Sequence, residues 1–251
     1  MRPWFVIFAR GWLICLLVLF LPLSAAAEPE ADSDFDLFEE EVSVEETGGE
    51  EPACDPLSGC NRVIFHVNDF LYLKVMEPVA QAYAWVVPEG ARVGVKRFFK
   101  NLGWPQRVVN NCLQGKFSAA GTETKRFVIN STMGILGFWD PALTRYGLEP
   151  VQEDFGQTLA VYGLGDGPAI MLPLLGPSNL RDALCKIPDW FLDPLSYLDP
   201  WELRLGVRAY DVENNTSLRI GQYEDLKEAA LDPYTFFRDA YKQSRDQRIG
   251  E

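Results

Sequence analysis

Histidine is nearly missing from this sequence: His66 is the single imidazole in 251 residues. A Ser-His-Asp or Cys-His catalytic apparatus would have to depend on that one side chain, and it sits in an apolar helical stretch two residues before Asn68, where a structural role fits better. Ser178 lies in Gly176-Pro177-Ser178-Asn179-Leu180 and lacks the second glycine of a nucleophile elbow. Gly163-Leu164-Gly165-Asp166-Gly167 lacks the Gly-Lys-Ser/Thr that would make a phosphate loop. Asp154-Phe155-Gly156 imitates a kinase signature without its HRD sequence or its glycine-rich loop and lysine. The cysteine spacings are irregular, which with one histidine argues against zinc. The reading is therefore non-catalytic, with no cofactor and no metal.

Basic charge is also scarce. The full chain carries 23 basic and 36 acidic side chains, a net charge of −13, but the deficit is concentrated. Residues Glu28 to Glu51 hold twelve acids and no basic residue. Self-repulsion and scarce apolar area predict that residues 28–52 are a disordered, solvated linker. Without those twelve acids and the two arginines before them, the remainder keeps 21 basic and 24 acidic side chains, a net charge of −3. A near-neutral body does not offer the basic surface nucleic acid requires.

Long apolar runs are absent after residue 27. Before it, Arg2 and Arg10 precede an apolar run from Gly11 to Leu23 and then Ala25-Ala26-Ala27, the order of charge, hydrophobe and small residue in a cleaved secretory signal. The run of 13 residues is short of the roughly 20 a spanning helix needs. Residues 1–27 are thus expected to be removed on export. That leaves Cys54, Cys60, Cys112 and Cys185 in a compartment that permits disulfides. Four cysteines allow three pairings, of which Cys54 with Cys60 is the nearest in sequence.

The remaining stretch, residues 53–247, is long enough for one core and has no internal repeat. Its most informative local signal is Asp-Pro, which occurs at Asp55, Asp140, Asp193, Asp199 and Asp232. Asp caps a helix N-terminus and Pro fits its first position, so each pair can start a helix. Apolar spacing predicts helices after Asp199-Pro200 and Asp232-Pro233, and over Asn61–Met76, Glu89–Leu102 and Ser118–Asn130. Prolines at 78, 88, 105, 150, 168, 173, 177 and 188 should punctuate the chain and keep the helices short. No series of alternating strands joined by Asn-Gly or Asp-Gly turns is present. The expected fold is all-α, a single domain of eight to ten short helices.

Two segments fit a soluble bundle badly. Ile129–Trp139 and Val161–Pro177 are apolar but too rich in glycine and proline for regular helix. Such backbone must be buried as core loops, or lie against lipid with its polar groups satisfied in other ways.

With the two segments above, the motifs Asp55-Pro56-Leu57-Ser58-Gly59, Asp154-Phe155-Gly156-Gln157-Thr158-Leu159 and Asp232-Pro233-Tyr234 resemble those of the MlaA (VacJ) family of Gram-negative outer membranes. The match begins at Asp55-Pro56-Leu57-Ser58-Gly59 and passes through Asn61-Arg62, Asn68-Asp69 and Phe98-Phe99-Lys100-Asn101-Leu102. It continues in Leu113-Gln114-Gly115-Lys116, Arg126 to Gly134, Asp154-Phe155-Gly156-Gln157-Thr158-Leu159 and Leu172 to Ser178, and closes at Asp232-Pro233-Tyr234 and Arg238-Asp239-Ala240-Tyr241. The resemblance implies a ring of helices lying in the outer membrane around an amphipathic central channel, through which phospholipid leaves the outer leaflet. It implies two protein partners, an outer-membrane porin trimer and a soluble periplasmic lipid carrier. Short helices with outward apolar faces are compatible with this, since they can lie in one leaflet without spanning it.

The polar residues embedded in those segments are Asn61, Arg62, Asn68, Arg126, Asn130, Asp140 and Asp154. For each the plainer reading is a helix cap or buried hydrogen-bonded group; as a set they are the candidates to line a lipid headgroup path, with Arg62 or Arg126 suited to phosphate. Two departures from the family stand out. Family members are commonly lipoproteins cleaved before a lipid-bearing cysteine, and here no cysteine follows the small residues at 24–27. Cys60 stands where an apolar aromatic often follows Gly59. The expected lack of a lipid anchor leaves a second reading open, a periplasmic structural or adaptor protein on the same fold without transport.

Overall fold

The computed structural model describes residues 55–250; the expected signal, the acidic linker and Cys54 lie outside them. The first helix, α1 (Ser58–Leu71), runs through a π-helical turn (Tyr72–Met76) into α2 (Glu77–Val86). There follow α3 (Glu89–Leu102), α4 (Trp104–Leu113), α5 (Phe117–Thr132) and the single turn α6 (Pro141–Thr144). After α7 (Phe155–Val161) come the strands β1 (Ala169–Leu172) and β2 (Gly176–Asn179), then α8 (Leu180–Leu192) and a 3-10 turn (Pro194–Tyr197). The chain ends in α9 (Trp201–Ser217), α10 (Gln222–Ala229) and α11 (Pro233–Gly250). Ten of these helices have seven residues or more, so the fold is all-α as expected.

Local chemistry explains several of the starts. The carboxylate of Asp140 accepts from Leu143 N at 3.0 Å to open α6, and that of Asp193 accepts from Leu195 N at 2.8 Å. Asp232 and Pro233 lead into α11, where Phe236 N donates to Asp232 O at 2.9 Å. Pro78, Pro105 and Pro141 occupy first-turn positions, where the missing N–H costs nothing. Three expectations need correction. Asp55 does not cap α1, which starts at Ser58 without a side-chain cap, and Asp199 does not cap α9, whose N-cap residue is Pro200 with no side-chain cap. Pro188 does not end a helix but sits inside α8, with Leu184, four residues before it, on an exposed face.

A two-stranded hairpin departs from the wholly helical expectation. It forms within Val161–Pro177 and just beyond, pairing Ala169 with Asn179 and Leu172 with Gly176 in antiparallel register. Four-residue strands are too short to show alternation, and their edge is completed from far away. Asn61 of α1 donates to Ala169 O at 3.0 Å and accepts from Met171 N at 2.9 Å. Asn68, two turns on, donates to Leu172 O at 2.9 Å and accepts from Leu174 N at 2.8 Å.

Neighbour packing runs round a closed circuit. α1 packs on β1, β2 on α11, α11 on α7, α7 on α4, α4 on α3, α3 on α9, α9 on α2, and α2 returns through the π turn to α1. The two ends of the described chain meet at a seam in this ring. Asp55 accepts from Asn61 at 2.9 Å, from Arg238 at 3.2 Å and from the hydroxyl of Tyr234. Arg62 clasps Asp232 with two nitrogens, at 3.1 and 2.6 Å. Behind the seam lies a small aromatic core of Phe65, Met171, Tyr234 and Phe237.

Candidate functional site

The distribution of polarity is reversed. The largest fully buried side chains are Glu123, Asn110, Asn111, Asn214 and Thr158, every one polar. Buried polar groups of this kind must be hydrogen-bonded, and most are. Glu123 accepts from Arg107 Nε at 2.6 Å and from Val151 N at 2.8 Å. Asn110 accepts from the Thr158 hydroxyl at 2.9 Å and donates to Gln106 O at 3.0 Å. Asn214 accepts from the Tyr83 hydroxyl at 3.0 Å and donates to Arg92 O at 2.9 Å.

Meanwhile large apolar side chains are exposed and lie outside the cavities described below: Val63, Val67 and Phe70 on α1, Val79, Trp85 and Val86 on α2, Ile187 and Phe191 on α8, and Trp201 and Leu205 on α9. Trp85 is 89% exposed. Scattered apolar residues are ordinary on a surface, whereas such extensive ones mark an interaction with protein or lipid. Among the described residues no helix is long and apolar enough to cross a membrane.

The glycine-rich segment Ile129–Trp139 is divided: Asn130, Gly134 and Gly137 are buried, while Met133, Ile135 and Leu136 are exposed. Ile135 and Leu136 take left-handed backbone, φ 50° and 59°, a conformation rare for non-glycine residues and most costly for a β-branched one. Both side chains are exposed. Their backbone is satisfied internally: Leu136 N donates to Ser131 O, Gly137 N to Asn130 O, and Asn101 Nδ2 to Leu136 O at 3.3 Å.

Three cavities adjoin inside the ring. One, of about 410 Å³, has mainly apolar walls from Phe65, Leu71, Met76, Leu175, Val212 and Tyr223. A second, of about 350 Å³, is walled by Lys96, Lys100, Arg107, Asp154, Asp211 and Arg248 among others. The third, of about 330 Å³, includes Asp182, Lys186, Asp189, Tyr241 and Arg245. They share walls: Asn215 borders the first two, Pro177 and Lys186 the first and third, and Gln106, Asp154 and Arg248 the two polar ones. The interior thus changes from greasy to charged along its course.

Burial shapes the ionisation of that charged half. It pushes the Lys100 amine down to about 7, with Arg107 and Arg126 adding repulsion. It pushes the Asp211 carboxyl up to about 6, and that of Asp189 up to about 6 with help from the Asp154 charge. For Asp182 burial works in the same direction but is outweighed by Arg245, Tyr241 and Arg181, so its carboxyl lies below the ordinary range.

The polar residues that the sequence offers as candidates separate into three groups. Asn68 borders the apolar cavity and Asp154 both polar ones; Asp154 also caps α7, accepting from Gln157 N at 2.9 Å. Arg126, Asn130 and Asp140 come together in one buried network, where Asn130 donates to Asp140 at 2.8 Å and Arg126 donates to Asp140 and to Leu148 O. Asn61 is buried against the hairpin, and Arg62 lies at the outer seam over the Tyr234 ring. Lys96, Lys100, Arg107, Asp211 and Arg248 escape a reading of the sequence, because charges on amphipathic helices look like a solvated face. Cys60 and Cys112 are exposed and Cys185 is buried; the Cys54–Cys60 pairing falls partly outside the described residues. His66 is exposed and packs edge-on against Phe65.

The family model described as MlaA lipoprotein matches residues 53–248. The chain belongs to the MlaA family. A relative from Escherichia coli (strain K12) named intermembrane phospholipid transport system lipoprotein MlaA is 36% identical over 200 residues, 76% of this chain and 77% of its own. A Rickettsia bellii protein is 33% identical over 196 residues, 78% of this chain and 76% of its own. A solved structure reported as the structural basis for maintenance of bacterial outer membrane lipid asymmetry superposes with a TM-score of 0.69 at 33% identity. That match covers 78% of this chain and 98% of the other. The ring, its outward apolar side chains and its polar interior are therefore set in the MlaA fold.

Proposed function

We propose that this MlaA family member is a non-catalytic conduit for phospholipid at the outer membrane. It removes mislocalised phospholipid from the outer leaflet, passes it through the ring, and delivers it to a soluble periplasmic carrier, beside an outer-membrane porin trimer. The observation that carries this reading is the reversal of polarity around connected cavities. A phospholipid has one apolar and one charged end, and the interior offers a wall to each in sequence. The outward apolar residues on short helices suit a body seated in one leaflet. The E. coli relative's name, an intermembrane phospholipid transport lipoprotein, agrees with the same role.

Export by a cleaved signal and attachment through the embedded ring complete the proposal. Removing the gene should make phospholipid accumulate in the outer leaflet, and detergent-extracted protein should carry phospholipid with it. A wholly soluble, lipid-free monomer whose loss leaves leaflet composition unchanged would instead fit the adaptor reading.

A further inference from the structure

The roughly 350 Å³ polar cavity between α3, α4, α7, α9 and α11 brings cations and carboxylates to one wall. Lys96 and Lys100 come from α3, Arg107 from α4 and Arg248 from α11. Of the facing acids, Glu153 is engaged by Lys116 at 2.7 Å and by Gln114 at 2.6 Å. Asp154 is held by two nitrogens of Arg245. The third acid differs. Asp211 of α9 accepts from Asn215 Nδ2 at 3.0 Å, while Arg208, one turn earlier, is taken by Asp193 at 2.7 Å. Asp211 is thus a partly buried carboxylate lining the same cavity as that group of cations.

From this juxtaposition we infer that the cavity is a headgroup site for a zwitterionic, amine-bearing phospholipid, its phosphate against Lys100 and Arg107 and its ammonium against Asp211. The inference rests on the reading of the ring as a lipid path and adds to it a preference among lipids. The Arg107 guanidinium is held in place at the cavity wall: it donates to Lys100 O at 2.9 Å and lies beside Gly103, where a Cβ would approach it to 3.1 Å. A phosphate bound there receives charge-assisted hydrogen bonds. Burial pulls the Lys100 amine down and pushes the Asp211 carboxyl up, so a bound group of opposite sign favours the charged form of each. The volume falls in the range of small-ligand sites, about 300–1,000 Å³, and the adjoining apolar cavity across Asn215 is open to acyl chains. A lipid with a phosphate and no ammonium brings Asp211 no opposite charge and is disfavoured.

The test uses the full chain in detergent, titrated calorimetrically with dihexanoyl phosphatidylethanolamine, with the phosphatidylglycerol of the same chains, and with inorganic phosphate. The wild type should bind the ethanolamine lipid most tightly. Asp211→Asn should weaken that lipid by roughly tenfold, the worth of one charge-assisted contact, and leave the glycerol lipid as tight or tighter. Lys100→Met should weaken both lipids by about the same factor. Lys96→Met and Lys100→Arg serve if that variant does not fold, the first weakening both lipids and the second preserving them. Equal affinity for the two lipids, or an Asp211→Asn variant that treats both alike, overturns the inference. Inorganic phosphate that binds as tightly as lipid and displaces it marks a free-phosphate site, and overturns it too. Transfer of lipid to acceptor vesicles separates the two levels: transfer by the wild type with no headgroup preference removes this site and leaves the conduit, whereas no transfer at all removes the conduit.

Discussion

Arg245 of α11 meets Asp154 at the start of α7 end to end, two guanidinium nitrogens on two carboxylate oxygens at 2.6 and 2.5 Å. Its remaining nitrogen, Nε, donates to Asp182 at 2.8 Å. Asp182 in turn receives Arg181, Asn179 and Tyr241, so one arginine ties the C-terminal helix to α7 and α8. Gly156 makes room for it: a Cβ there would stand 2.3 Å from Asp182 Oδ1 and 2.6 Å from an Arg245 nitrogen.

Arg245→Met should therefore destabilise the fold by about 3 kcal/mol, because it takes the cation from Asp154 and one of the two arginines from the buried Asp182. A denaturant titration followed by circular dichroism reads this directly. A variant within about 1 kcal/mol of the wild type would show that the clasp is not needed.

Acidity acts on the two classes of buried carboxyl in opposite directions. The Asp182 carboxyl lies below its ordinary value of 3.8, so the fold favours its charged form. That contribution is complete above about pH 4 and is lost as pH falls through the lowered value. Asp189 and Asp211 lie above it, at about 6 each, so the fold favours their neutral forms. Their contribution is complete below about pH 4 and is lost as pH rises through about 6. Melting temperature should accordingly rise on acidification from about pH 7 to about pH 5. Asp211→Asn should flatten that rise, by at most about 3 kcal/mol. An unchanged profile in the variant would rule Asp211 out as its source.

Gly134 is enclosed by backbone. A Cβ there would lie 2.3 Å from Trp139 O and 2.6 Å from Asn130 O, and neither carbonyl can swing aside without undoing the loop that presents Ile135 and Leu136. Gly134→Ala should cost about 1–3 kcal/mol as an overpacking change, visible in thermal unfolding. Gly121→Ala, where nothing lies within 4 Å, is the matched control and should be neutral or mildly stabilising.

The outward apolar side chains should matter to membranes and not to folding. Trp85→Ser with Val86→Ser removes two exposed residues of α2. The pair should lower retention on phospholipid vesicles in a flotation assay while shifting stability in detergent by no more than about 0.5 kcal/mol. Unaltered flotation would place the membrane-facing surface elsewhere on the ring.

Much of this architecture is legible wherever a helix announces itself locally. α3 occupies the predicted Glu89–Leu102, with Pro88 as its cap, α9 starts just after Asp199-Pro200, and α11 starts at Pro233 itself. The hairpin is not legible, because Asn61 and Asn68 complete its edge from over a hundred residues away. The candidate site divides the same way. Asp154 can be found because it caps a helix and sits in a dense motif. Lys100 and Asp211 cannot, since only closure of the ring decides that these charges look inward instead of toward water.

The seam carries a consequence for biosynthesis. Asp55 and Arg62 find their partners at Tyr234, Arg238 and Asp232, separations of 170 to 183 residues. Contacts so distant along the chain form late. The ties that join α1 to α11 are made only after the last helix has been delivered, onto a circuit that α8 already closes by packing on β1, β2 and α4, so the seam locks a body whose outline is drawn before it.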